Sequence, residues 1–312
     1  MSEILFLIFL LILPIIVSGG YVFFAACVRK KELPWLVEEE IKKTSYGKFY
    51  PHMVAANKWL LDHSAQDVSI QSADGLKLHG LWIPADAPKA TILLMHGYRS
   101  TPLIEFSMVL EHYHALGLNL LIPYQRSHGK SEGKYITFGV KESDDAHRWL
   151  KFHNEQLGDY QVIVSGLSMG ASTVMYLAGE DLPENVKGFI VDCGFTSPKE
   201  ILSEVFRRVT HLPAGPSVFV ADIFARIFAG FSLTQKDARV SLAKNKRPIL
   251  FVHGVKDGFV PCEMTRQSYA ACGGPKDVLL VEGADHGVSF IRDRETYTNK
   301  IYSLLKSSLE DF

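Results

Sequence analysis

Short unbroken apolar runs alternate with longer segments of helical periodicity through most of this chain, and that alternation constrains the fold more than any other feature. A run of four to eight apolar residues bounded by turn signals reads as a strand buried on both faces, the situation of a strand in a parallel sheet. Such runs occur at 90–95, 118–123, 161–165, 186–192, 248–253 and 277–282. Helices are expected between and after them, over 102–116, 141–156, 169–179, 261–271 and 293–309. Parallel neighbours need long crossovers, so the pattern predicts an α/β fold, a mostly parallel doubly wound sheet. Ahead of it, 68–72 and 76–83 alternate with period two around Ala73, Asp74 and Gly75, which predicts an antiparallel N-terminal hairpin at one sheet edge.

The other segments divide the chain. With 312 residues and 47% apolar composition, 67–312 can close one large core. Within it, 195–246 is too apolar for a solvated loop and too long for an ordinary connection, and it reads as a partly helical lid insertion carrying Pro213 and Pro216. Residues 4–28 carry no charge, enough to cross about 30 Å of hydrocarbon as a helix, so 1–31 reads as an N-terminal transmembrane anchor in the lipid bilayer. A cleaved signal peptide is the competing reading; no Lys or Arg precedes the run, and it exceeds an h-region of about 7–15 residues. Arg29, Lys30, Lys31, Lys42 and Lys43 follow it, which by the positive-inside rule sets the C-terminal domain toward the cytoplasm. Residues 32–66, with Trp35, Tyr46, Phe49, Tyr50 and Trp59, read as a juxtamembrane helical segment.

Charge excludes one class of partner. Lys plus Arg number 33 and Asp plus Glu 34, with a formal net charge of −1 and no single-sign run, so no nucleic-acid partner is expected. Cys27, Cys193, Cys262 and Cys272 show no metal-ligand spacing and read as free thiols, in keeping with a reducing compartment.

The chemistry-bearing motif is Gly166, Leu167, Ser168, Met169, Gly170, a G-x-S-x-G set between a predicted strand and a predicted helix. A tight turn there holds the serine side chain out of the sheet at a helix N-terminus. A serine hydroxyl needs a base, and the base needs an acid to fix its tautomer. The last two predicted strands are followed by turns that carry Asp257 and His286, where strand C-termini open on the crevice of such a sheet. Asp192, ending another strand, is the rival acid and also reads as a hinge at the insertion. His128 reads as a turn brace, and Asp285 as a solvated charge or, beside His286, as a cap that orients that loop.

At these residues the chain resembles the α/β-hydrolase superfamily, in particular its serine esterase, lipase and aminopeptidase-like branch, often membrane-associated in bacteria. The likeness extends from about Val68 to the C-terminus. It rests on His96, Gly97 and Tyr98 after the first buried strand, the Gln125 to Ser131 loop, the Ser168 elbow, Asp257 with Val260 and Pro261, and the His286 loop. It implies a Ser168, Asp257, His286 triad, an oxyanion hole from the Tyr98 and Met169 N–H groups, and no metal or organic cofactor. Tyr124 stands where many relatives have an acidic residue, which leaves the bonding of the following loop open. The function implied is hydrolysis of small to medium acyl esters through an acyl-enzyme. The alternatives are a peptidase or amidase, which would need a carboxylate cluster for a free N-terminus near Glu200 and Glu204, and a non-catalytic membrane-bound binding protein.

Overall fold

A computed structural model describes residues 2–30, 38–43, 47–63, 65–310 and 312. Eight strands form one sheet in the order β1-β2-β4-β3-β5-β6-β7-β8. They are β1 (Gln66–Gln71), β2 (Lys77–Ile83), β3 (Ala90–Met95), β4 (Leu118–Pro123), β5 (Val162–Leu167), β6 (Val186–Asp192), β7 (Ile249–Gly254) and β8 (Lys276–Val281). From β3 to β8 all pairings are parallel, while β2 runs antiparallel to both β1 and β4. This is the mostly parallel, doubly wound sheet with an antiparallel N-terminal hairpin expected from the alternation of segments, and the arrangement that the resemblance to α/β hydrolases implies.

Burial explains why these segments are strands. Every residue of β3, β4, β5 and β7 is buried, whereas β1, at the edge, exposes alternate residues. Successive side chains leave opposite faces. Ile92, Leu94, Ile163 and Leu250 pack on one side with Leu110, Ile301 and Leu305. Leu93, Met95, Val164 and Phe251 pack on the other with Trp149 and Val174. The strand order reverses at β3, which has β4 on one side and β5 on the other. Such a reversal leaves a crevice beyond the strand C-termini, between the loops that leave in opposite directions.

A third apolar cluster lies over that crevice. The insertion contributes the helices Pro198–Thr210 and Gly215–Phe224, a π-helical turn at Ala225–Ala229 and the helix Ala238–Leu242. Its first helix starts where Ser197 accepts from the Glu200 N–H, and stops at His211 in the left-handed region, φ 58°. Ile201, Val218, Ala221 and Ala225 bury themselves together with Phe138, Phe195 and Met169.

The N-terminal helix, Ser2–Cys27, also joins this cluster, through the fully buried Phe23 and Cys27. It packs on the insertion helix Gly215–Phe224 so closely that a Cβ on Gly19 would stand 2.5 Å from the Val220 Cβ. Beside that contact the Ser18 and Ser217 hydroxyls are 2.6 Å apart. The segment read as a transmembrane anchor thus has the second half of its helix packed on the domain. Among the described residues no helix is long and apolar enough to cross a membrane. Of the segment expected to be juxtamembrane, Gly47–Phe49 and Tyr50–Asp62 are helical; Trp35 and Tyr46 lie outside the described residues.

Candidate active site

β5 ends at Leu167, and the chain reverses at Ser168 into the helix Met169–Leu177. Ser168 has φ 56° and ψ −116°, a conformation that costs an L-residue about 1–3 kcal/mol and persists only where its surroundings impose it. Here the Ser168 N–H donates to the Asp192 carbonyl at 2.8 Å. The two glycines are required by contact: a Cβ on Gly166 would lie 2.3 Å from the Gly170 carbonyl oxygen, and one on Gly170 would lie 1.8 Å from that of Met95.

The loops after β7 and β8 bring the other two candidates to the serine. His286 Nε2 is 2.9 Å from Ser168 Oγ, and His286 Nδ1 is 2.7 Å from Asp257 Oδ2. The carboxylate accepts at Nδ1, so the proton sits there and Nε2 is left as an acceptor for the serine hydroxyl. Asp257 Oδ1 accepts the Phe259 and Val260 N–H groups, each at 2.8 Å. Burial would raise this carboxyl, but hydrogen bonds from His253 and His286 outweigh burial and hold it well below the usual carboxylate range. Asp285, read from sequence as a solvated charge, joins the two loops: its Oδ1 accepts the Gly258 N–H at 2.9 Å and the His286 N–H at 2.8 Å.

The loop after β3 brings Tyr98 to the same crevice. His96 Nδ1 donates to the Gly97 carbonyl at 2.8 Å. Because C=O and N–H point in opposite directions across a trans peptide, this bond turns the Tyr98 N–H away from His96. Met169 occupies the first turn of the elbow helix, where N–H groups lack intrahelical acceptors. Among the described residues neither N–H has a hydrogen-bond acceptor.

Three supporting residues escaped the sequence reading. His253, the polar end of an apolar strand, places Nε2 3.2 Å from Asp257 Oδ2 and 3.0 Å from the Val260 carbonyl, so that nitrogen donates. Glu105 accepts the Gly97 N–H, and burial pushes its carboxyl up to about 8. Arg99, with φ 53°, donates its N–H to His128 Nε2 at 2.9 Å. His128 is thus a brace, with burial lowering its pKa to about 4.

Asp192, the rival acid, bonds elsewhere. It accepts from Ser289 Oγ at 3.3 Å and Tyr297 OH at 3.2 Å, and burial raises it to about 6. In the loop following Tyr124, Arg126 finds carboxylates in Asp145 (2.6 Å) and Asp74 (2.9 Å), the latter from the β1–β2 turn. Cys193 Sγ, an Asp257 oxygen and a His286 nitrogen lie within 4.8 Å of one another, the one such three-donor grouping among the described residues. A cation there would take Asp257 and His286 out of the hydrogen-bond chain to Ser168.

Comparison with known proteins gives the class: the chain belongs to the α/β-hydrolase superfamily. The family model described as serine aminopeptidase, S33, matches residues 86–214. Among individual relatives, the uncharacterized protein YqkD of Bacillus subtilis is 30% identical over 241 residues, covering 76% of this chain and 77% of its own. Protein bem46 of Schizosaccharomyces pombe is 25% identical over 213 residues, 67% of this chain and 66% of its own. The fold is shared with the Pyrococcus furiosus esterase Pf2001, at TM-score 0.64 and 24% identity over 81% of this chain and 96% of that one. Est1E from Butyrivibrio proteoclasticus, solved with ferulic acid bound, matches at TM-score 0.59 and 18% identity over 76% and 98% of the two chains.

Proposed function

We propose that this hydrolase cleaves carboxylic esters of small to medium acyl groups through an acyl-enzyme on Ser168. The observation that carries the reading is the continuous hydrogen-bond chain Ser168, His286, Asp257, at 2.9 and 2.7 Å. His286 Nε2 takes the hydroxyl proton as Ser168 Oγ bonds to the acyl carbon. The carbonyl oxygen, now carrying charge, rests on the Tyr98 and Met169 N–H groups. His286 then returns the proton to the leaving alcohol as its C–O bond breaks. Water attacks the acyl-enzyme by the same route in reverse, and Asp257 keeps the imidazole oriented throughout. No step draws on a metal or an organic cofactor.

Three packed rings favour an acyl group of limited length. Tyr98 and Phe138 have centroids 5.2 Å apart, and Phe138 and Phe195 6.3 Å, which fills space beside the oxyanion loop. Pf2001, which shares the fold, is an esterase. The lipid bilayer belongs to the proposal as a partner, since Leu13, Val17, Tyr21, Phe24, Phe219 and Phe228 leave an exposed apolar surface on the docked helices. The cytoplasmic side is proposed for the domain on the basic residues that follow the apolar run, Arg29 and Lys30 first among them.

The serine aminopeptidase family model favours a second reading, cleavage of amides or peptides. Its recognition of a free amine needs available carboxylates. Glu200 is bonded to Arg239 at 2.6 Å and Glu204 to Arg207 at 2.8 Å, which speaks for the ester. The test is turnover by the full chain of p-nitrophenyl esters of increasing acyl length against aminoacyl p-nitroanilides, with Ser168→Ala and His286→Ala beside it. Ester turnover lost in both variants is the expected result. Anilide turnover above ester turnover would select the peptidase, and failure of a fluorophosphonate to label Ser168 would select a binding protein.

A further inference from the structure

The C-terminal end of the N-terminal helix does not end in solvent. The last carbonyls of a helix lack intrahelical donors and carry the negative end of its dipole. Here the Ala25 and Val28 carbonyls accept from Arg99 Nη2 at 2.5 and 3.3 Å, and the Ala26 carbonyl accepts from Tyr98 OH at 2.8 Å. The segment is fastened from the other side as well. Val28 bridges to Tyr135, the Ile136 N–H donates to the Cys27 carbonyl at 2.7 Å, and Arg29 Nη1 and Nη2 donate to the Ser131 and Gly129 carbonyls at 2.7 Å each. The two residues that reach this helix end are Tyr98, whose N–H is proposed above as an oxyanion donor, and its neighbour.

Arg99 needs holding. Its φ of 53° is in the left-handed region, at a cost of roughly 1–2 kcal/mol for an L-residue. Two contacts act against that cost: the N–H to His128 Nε2 at 2.9 Å and the guanidinium to the helix carbonyls. The same guanidinium lies over the Tyr98 ring, 4.8 Å from its centroid. If this turn relaxes, the Tyr98 peptide rotates and its N–H leaves the position that the oxyanion requires.

We propose that Arg99 is a positioning residue for the oxyanion loop, and that the C-terminal carbonyls of the N-terminal helix are the fixed point against which it holds Tyr98. The inference rests on the serine-hydrolase reading. It gives the N-terminal helix a part in catalysis apart from any contact with lipid.

Oxyanion contacts strengthen in the transition state, so their misalignment lowers kcat more than it raises KM. Loss of a whole oxyanion donor costs about 10²–10³ in kcat, and a misdirected one costs less. The experiment uses the full chain as wild type, Arg99→Ala, Arg99→Lys and Tyr98→Phe. It reads the rate of Ser168 phosphonylation by a fluorophosphonate, kcat and KM on p-nitrophenyl butyrate, and the melting curve. In Arg99→Ala, kcat and the phosphonylation rate fall by roughly 10-fold to 100-fold, and KM stays within about threefold. Arg99→Lys, which still donates to one carbonyl, recovers part of the loss. Wild-type rates in a folded Arg99→Ala would overturn the proposal, as would a loss confined to melting temperature. Should Arg99→Ala not fold, Tyr98→Phe decides, since it deletes one hydroxyl and keeps the N–H: a fall of about threefold or more is expected, and an unchanged rate overturns the proposal. A wild type that neither turns over ester nor takes the label removes the hydrolase reading, and this inference with it.

Discussion

Ser168, His286 and Asp257 have different reasons to be where they are, and the differences fit the roles proposed for them. The serine is held by its backbone and the acid by donors: two histidine nitrogens and two N–H groups converge on Asp257. Replacing Asp257 by Asn keeps the shape but reverses the preferred tautomer of His286. kcat is expected to fall by about 10⁴, measured on the optimal ester. Asp192→Asn, bonded to Ser289 and Tyr297 rather than to His286, is expected to leave kcat within about tenfold of wild type. The opposite result would move the acid to Asp192. Glu105 gives a pH signature. With its pKa raised to about 8, the carboxyl is neutral at pH 7 and accepts the Gly97 N–H without setting a negative charge beside the oxyanion hole. Above about pH 8 it ionises, and that charge opposes the oxyanion. Wild-type kcat/KM is therefore expected to decline by roughly 3-fold to 10-fold between pH 7.5 and 9.5, while Glu105→Gln, a neutral acceptor at every pH, stays flat. Parallel profiles for the two proteins would remove Glu105 from the account.

At the scale of elements, the docked N-terminal helix makes a sharp comparison of two adjacent glycines. A Cβ on Gly19 would meet the Val220 Cβ at 2.5 Å and the Ser217 carbonyl at 2.7 Å, whereas one on Gly20 would meet the Phe224 ring at an ordinary 3.5 Å. Gly19→Ala is expected to cost about 1–3 kcal/mol by overpacking, and Gly20→Ala almost nothing, in denaturant titrations of the full chain. Equal effects would mean that the two helices do not pack in this way. The helix also shows what sequence can and cannot disclose. The parallel strands were legible because continuous apolar runs of strand length have few other homes, and the elbow because glycine spacing and context coincide. Strand ends were less so: β5 was expected to stop at Ser165 and runs to Leu167. An uncharged run over 4–28, by contrast, looks the same whether lipid or protein covers it, and the close approach at Gly19 was not read from the sequence. Long-range polar contacts left no local trace. Asp74 reaching Arg126, and Arg99 reaching the Ala25 carbonyl, join positions 52 and 74 residues apart.

For the whole molecule, the strand order and the apolar surface together bear on where this hydrolase works. The reversal at β3 sets the Tyr98 and Ser168 loops side by side, and the apolar cluster that includes Met169 continues without a break into Phe23 of the N-terminal helix. On the outer side of that helix, Leu10, Leu13, Val17, Tyr21 and Phe24 recur at three- and four-residue intervals and are all exposed. Phe24 meets Phe228 of the insertion at 5.9 Å, which joins the two exposed faces into one. Water is a poor neighbour for such a surface, and with a net charge of −1 it is dispersion and apolar burial, not ionic attraction, that would hold it to lipid. The full chain is therefore expected to float with zwitterionic phosphatidylcholine vesicles equally in about 0.15 M and 1 M salt, where the Debye length shrinks from about 8 to 3 Å. An aspartate in the acyl region costs about 2.5–3.5 kcal/mol. Val17→Asp and Phe228→Asp should each release the protein if both helices touch the bilayer. Release by Val17→Asp alone would confine the contact to the N-terminal helix, and salt-sensitive binding that neither change affects would assign the apolar face to another partner.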